Sequence, residues 1–99
     1  LSAPLAALGG QPIAGVIDRL VIGPHTVLAV DYKTNALIPP TPEEVPEGLL
    51  RQMGAYAAAL AQIYPGHRIE TAMLWTRAPR LMPLPGALIA AALARAGAA

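Results

Sequence analysis

Two aspartates and a lysine interrupt an otherwise apolar stretch. Asp18 lies in Gly15-Val16-Ile17-Asp18-Arg19, and Asp31 and Lys33 lie in Val30-Asp31-Tyr32-Lys33-Thr34. Side chains alternate along a strand, so Asp31 and Lys33 face one way while Tyr32 and Thr34 face the other. Burial of such charges is costly unless they find partners. Pairing Ile22 with Val27 across the loop from Gly23 to Thr26, where Pro24 suits a type I turn, sets Asp18 directly opposite Asp31. Opposed residues have Cβ atoms about 4.5–5.5 Å apart, and like charges there repel. A divalent cation removes the conflict by accepting oxygens from both. Mg²⁺ is the natural candidate, since it uses one or two carboxylates and keeps waters for substrate. Lys33 reaches the same pocket, where its ammonium can orient an attacking water or stabilise charge growing on a phosphate. The chemistry described is metal-assisted phosphodiester hydrolysis. A register slip of one residue would part the carboxylates and destroy the site. The bland reading, a solvated strand end, carries about equal weight on spacing alone.

The elements that must position these groups follow from the surrounding pattern. Ala3 to Leu8 is a short apolar run ending at the turn signal Gly9-Gly10. Pro12 to Ile22 is β-rich and closes at Gly23-Pro24. Val27-Leu28-Ala29-Val30 is a continuous apolar run, as expected of a strand covered on both faces. These three segments predict an antiparallel meander. Pro39-Pro40-Thr41-Pro42 breaks it, with Thr41 placed to cap a helical turn that has Pro42 at its first position and Glu44 three residues on. Pro46 restarts or kinks that helix. Leu49, Leu50, Met53, Tyr56, Ala57, Leu60 and Ile63 then recur at helical spacing until Pro65-Gly66. Arg68 to Thr76 reads as a further strand. Pro79, Pro83 and Pro85 limit the next piece to a loop or an edge strand. A helix from about Gly86 to Ala96 closes the chain. The order βββ-α-β-α indicates a mixed α/β layer structure.

Composition bounds the rest. The 99 residues make one small domain, and 55% hydrophobic content argues for a packed core. With no Phe, one Trp and much Ala, each side chain buries little area, so modest stability is expected. A net charge of +1 identifies no partner by itself. The absence of cysteine excludes disulfides, thiolate catalysis and cysteine-ligated zinc, and fits a reducing, cytoplasmic setting. No stretch reads as a signal peptide, and the Ala-rich segment from Ala87 to Ala94 is too short to span a bilayer, so no membrane partner is expected. The chain opens with Leu1 rather than Met, which suggests a piece of a larger protein.

Three elements in series resemble the RecB-like branch of the PD-(D/E)xK nucleases, most closely the C-terminal nuclease domain of AddA-type helicase–nuclease subunits of bacterial double-strand-break repair. They are Gly15-Val16-Ile17-Asp18-Arg19-Leu20, then Val30-Asp31-Tyr32-Lys33-Thr34-Asn35, then Leu50-Arg51-Gln52-Met53-Gly54-Ala55-Tyr56, which looks like the branch's Q-x-x-x-Y element. The resemblance runs from about Ala3 to Thr76. It implies a restriction-endonuclease-like core and a Mg²⁺-dependent DNA exonuclease, with Mn²⁺ as a substitute metal. Asp18 and Asp31 would be metal ligands, joined by the backbone carbonyl of Tyr32, and Lys33 the catalytic lysine. Gln52 and Tyr56, at i and i+4 on one helix face, would organise the active site and contact DNA. Tyr56 also belongs to the apolar stripe, so core packing competes as its explanation. The substrate implied is single-stranded DNA delivered by a helicase motor, with a partner subunit in the complex.

One departure matters. In the family, a helix before the first strand completes the fold and can supply another ligand, and nothing before Ala3 could form it. Helicase motifs and phosphate loops are absent too. The sequence therefore reads as a partial domain whose isolated activity is open. The rival reading is a noncatalytic DNA-binding or subunit-docking module on a nuclease scaffold. A small standalone nuclease of the same branch is a third, less attractive one.

Other candidates have plainer explanations. His25 and His67 read as solvated turn residues. Arg19, Arg51, Arg77 and Arg80 can contact phosphates without specifying sequence, though isolated surface arginines are commoner. Trp75 could stack on an unpaired base, but packing is the simpler role. Glu43, Glu44 and Glu47 suit a helix N-terminus electrostatically.

Overall fold

A computed structural model describes residues 3–4, 7–8, 11–12 and 16–97, with side chains from Ile17 onward. Its elements are β1 (Ala3–Pro4), β2 (Ala7–Leu8), β3 (Gln11–Pro12), β4 (Val16–Ile17), β5 (Arg19–Ile22), β6 (Thr26–Lys33), a 3₁₀ turn (Pro42–Glu44), α1 (Glu47–Ile63), β7 (Arg68–Trp75), β8 (Arg80–Leu84) and α2 (Gly86–Gly97). The Gly9-Gly10 turn and Gly15 lie outside the described residues.

The first part of the chain pairs antiparallel, β1 with β4 and β2 with β3. The main sheet has four strands in the order β5-β6-β7-β8. β5 and β6 form an antiparallel hairpin in which Ile22 faces Val27 and Arg19 faces Val30. Within the loop that joins them, the Gly23 N–H donates to the Thr26 carbonyl at 2.8 Å. β6 and β7 run parallel, from Thr26 opposite Arg68 to Lys33 opposite Trp75. Parallel neighbours need a long crossover, and α1 is that crossover. The result is a mixed sheet with helices packed on it, as the order of elements predicts.

Proline sets the helix boundaries. Pro46 takes the N-cap position of α1, and its carbonyl accepts from the N–H groups of Leu49 and Leu50. The segment before it forms the separate 3₁₀ turn. There Thr41 has extended backbone, and its hydroxyl bonds the Glu44 carboxylate at 3.1 Å rather than a backbone N–H. The expected cap is thus half made. At the other end of α1, Tyr64 closes the helix and Gly66 turns the chain with φ of 87°, a conformation that glycine adopts freely.

Alternation sorts the sheet into two faces. Val27, Ala29 and Asp31 on β6 share a face with Thr71, Met73 and Trp75 on β7 and with Met82 and Leu84 on β8, and all are buried. Leu50, Met53, Tyr56 and Leu60 of α1 and Ile89 and Ala92 of α2 close the core over this face. Small residues let the two helices meet: a Cβ on Gly54 would lie 3.1 Å from the Ile89 carbonyl carbon and closer still to its oxygen. The reverse face differs from expectation. Val30 and Ala72 are buried there, but Leu28 and Leu74 are half-buried and Tyr32 and Leu81 exposed. The unbroken apolar run of β6 therefore reflects its central place in the sheet, with the helices on one side. Arg80–Leu84 forms the edge strand that its prolines permit; Pro83 lies within it.

Candidate active site

Asp18 sits at a bend that separates β4 from β5. The β5–β6 ladder has the register that the loop geometry predicts, with Ile22 opposite Val27, and its last pair, Arg19 with Val30, adjoins Asp18 and Asp31. At the bend, Asp18 Oδ2 accepts the backbone N–H of Tyr32 at 2.9 Å. Asp31 is 5% exposed, on the core face of β6. Lys33, two residues on and half-buried, brings its Nζ to 2.9 Å from Asp31 Oδ2. That oxygen is fully enclosed and makes no well-aligned hydrogen bond among the described residues, so the contact is an ion pair without directional support.

Burial is the largest influence on the Asp31 carboxyl and pushes its pKa above the ordinary value. Lys33 opposes the shift, and the neighbouring Asp18 adds to it. The two acidic groups thus influence one another at this strand end. α1 supplies the third side of the site. Gln52 Nε2 donates to the Tyr56 hydroxyl at 2.8 Å. The Tyr56 phenol is raised first by burial, then by the negative charges of Asp31 and Asp18. Its ring is 2% exposed and part of the core cluster. Core packing and proximity to the carboxylates both apply to Tyr56.

A metal requires donors that suit it. Asp18 and Asp31 offer hard carboxylate oxygens, that of Asp31 buried beside the Lys33 ammonium, and Tyr32, directly after Asp31 in the sequence, carries a backbone carbonyl. No group of three or more His, Cys, Asp or Glu converges among the described residues. This composition fits a small hard cation that retains several waters better than one needing a full protein cage.

The remaining candidates are placed as follows. His25 is exposed in the β5–β6 loop, and His67 packs edge-on against Tyr64, with ring centroids 5.7 Å apart. Trp75 is fully buried, so it packs rather than stacks on a base. Arg19, Arg51, Arg77 and Arg80 are exposed; a guanidinium nitrogen of Arg80 donates to the Pro40 carbonyl at 3.1 Å. Glu47 is held below its ordinary pKa chiefly by its hydrogen bonds from Arg95, which cross from α2 to α1 at 2.7 and 2.8 Å. Sequence reasoning missed Thr76. Its backbone N–H and its hydroxyl both donate to the Lys33 carbonyl, at 2.9 and 3.2 Å. Nothing local to Thr76 signals this contact, because strand pairing alone brings it to Lys33.

The family model of the PD-(D/E)XK nuclease superfamily matches residues 4–90, and the chain belongs to that superfamily. No curated protein and no solved structure matches it. Among the described residues, no helix is long and apolar enough to cross a membrane.

Proposed function

We propose that this chain is a Mg²⁺-dependent deoxyribonuclease domain, with Asp18 and Asp31 as metal ligands and Lys33 as the catalytic lysine. The observation that carries the reading is a buried Asp31 ion-paired with the Lys33 ammonium at one strand end, with Asp18 bound to the N–H of the intervening Tyr32. Membership of a superfamily of nucleases supports it.

Asp18, Asp31 and the Tyr32 carbonyl would hold the cation, which supplies Lewis acidity toward a phosphate oxygen. The chain's own groups do the rest. Lys33 donates hydrogen bonds that aim a water at phosphorus and stabilise negative charge as it builds on the phosphoryl oxygens. The Tyr32 N–H fixes Asp18, and the register fixes Asp31, so neither carboxylate must reorganise. Gln52 and Tyr56 line the helix side and position the strand to be cut.

The three elements in series favour the RecB-like branch, and hence an exonuclease within a helicase–nuclease acting on single strands at DNA breaks. The decisive experiment incubates a labelled single-stranded oligonucleotide with the chain and Mg²⁺ or Mn²⁺, beside the Asp31→Ala, Lys33→Ala double variant. Metal-dependent shortening by the parent chain alone is expected. Equal cleavage by both proteins would remove the assignment. Calorimetry showing no Mn²⁺ binding at millimolar metal would favour the docking-module reading instead.

A further inference from the structure

We propose that the turn at residues 76–79 is a phosphate-binding arm, in which Arg77 grips a nucleic-acid backbone phosphate next to the one cleaved. The proposal deepens the nuclease reading and rests on it.

The turn is anchored to the site at its start. Thr76 sends two hydrogen bonds to the Lys33 carbonyl, and the Ala78 N–H donates to the Trp75 carbonyl at 3.3 Å. Arg77 therefore follows directly on the residue clasped to the Lys33 backbone. Its far end is anchored as well. Arg80 bonds the Pro40 carbonyl, which ties β8 to the loop leaving Lys33. Pro79 stiffens the stretch between by fixing its own φ. An arm so held presents its side chain without a large ordering cost.

The distribution of cations singles out Arg77. Lys33 is paired with Asp31, Arg95 with Glu47, and Arg80 with a carbonyl. Arg51 lies in the field of Glu47. Arg68 begins β7, at the end of the sheet away from Lys33, and Arg19 pairs with Val30 on the reverse face. Arg77 is exposed and has no ion pair or hydrogen bond among the described residues. The sequence from Thr71 to Ala99 contains no carboxylate side chain, so nothing nearby in the chain competes for the guanidinium. A phosphate would meet a bidentate donor that breaks no existing contact.

The test measures binding of a short single-stranded oligodeoxynucleotide by fluorescence anisotropy, with Ca²⁺ replacing Mg²⁺, across a salt series. The full chain is compared with Arg77→Gln, Arg77→Lys and Asp31→Asn. Removing one phosphate contact should weaken binding several-fold and reduce the salt slope by about 0.7, while Arg77→Lys keeps the slope. Mn²⁺ calorimetry should be the same for Arg77→Gln and the parent. An Arg77→Gln slope equal to the parent's overturns the arm alone. A parent chain that fails to bind the oligonucleotide overturns both arm and nuclease reading. Cleavage that persists in Asp31→Asn, beside a reduced Arg77→Gln slope, sinks the hydrolytic assignment and leaves the arm as a nucleic-acid contact.

Discussion

The Tyr32 N–H donates to Asp18 Oδ2 across 2.9 Å, so the strand that carries Asp31 also holds Asp18 in place. The bend at Asp18 interrupts the β4–β5 strand, and a side-chain oxygen meets the N–H that β6 turns toward that edge. One local irregularity therefore does two jobs. It satisfies a backbone donor that would otherwise lack a partner, and it orients a carboxylate beside its opposite number.

Asp31→Asn and Lys33→Ala should separate metal binding from turnover. Asp31→Asn removes the charge of the proposed ligand, so calorimetric Mn²⁺ binding should fall at least tenfold and cleavage should disappear. Lys33→Ala should retain metal binding while cleavage drops by roughly 10²–10³-fold, the scale of losing one oriented donor. Normal metal affinity in Asp31→Asn would contradict the ligand assignment.

Stability should respond to pH through Asp31. Burial raises the folded-state pKa of this carboxyl above the unfolded value. Its contribution is therefore fully present below the ordinary value of 3.8 and is lost as pH rises through the folded pKa. In metal-free buffer at neutral pH, Asp31→Asn should be more stable than the parent, read as a higher Tm. The advantage should shrink as the pH approaches that of the protonated carboxyl. Thermal melts of both proteins across the acid range check the sign.

Tyr56 combines a core ring with a polar tip, and two substitutions part these roles. Tyr56→Phe keeps the ring and loses the hydroxyl that accepts from Gln52, at a cost of about 1 kcal/mol. Cleavage should fall while Mn²⁺ affinity is kept. Tyr56→Ala empties a buried site and should cost about 3–5 kcal/mol, enough to compromise folding of a small domain. Unchanged cleavage in Tyr56→Phe would restrict this residue to packing.

Gly54→Ala tests the helix contact. Alanine favours a helix by up to about 1 kcal/mol over glycine. Here, however, its methyl would press on the Ile89 carbonyl and lie 3.1 Å from Leu93 Cβ. The carbonyl belongs to the backbone of α2 and cannot swing aside, so the clash should win and destabilise the chain by about 1–3 kcal/mol in chemical denaturation. A gain in stability would mean that α1 and α2 separate more easily than this packing allows.

Much of the architecture was legible because its causes are local. Pro46, Pro65-Gly66 and the apolar spacing of Leu50, Met53, Tyr56 and Leu60 delimit α1 through backbone restriction and 3.6-residue periodicity. The Gly23-Pro24 loop fixes the hairpin register from Ile22 opposite Val27 to Arg19 opposite Val30. Strand β8 was only half legible, since its prolines allow an edge without requiring one; the neighbouring β7 supplied the ladder.

From the sequence alone came the element types, the hairpin register and the residues proposed to hold a cation, because propensity and alternation act over a few neighbours. Tertiary structure decided that β6 and β7 lie parallel, that Thr76 grips the Lys33 carbonyl, and that Tyr56 feels both carboxylates. Those relations join residues tens of positions apart, and only the packing of α1 across the sheet brings them within reach of one another.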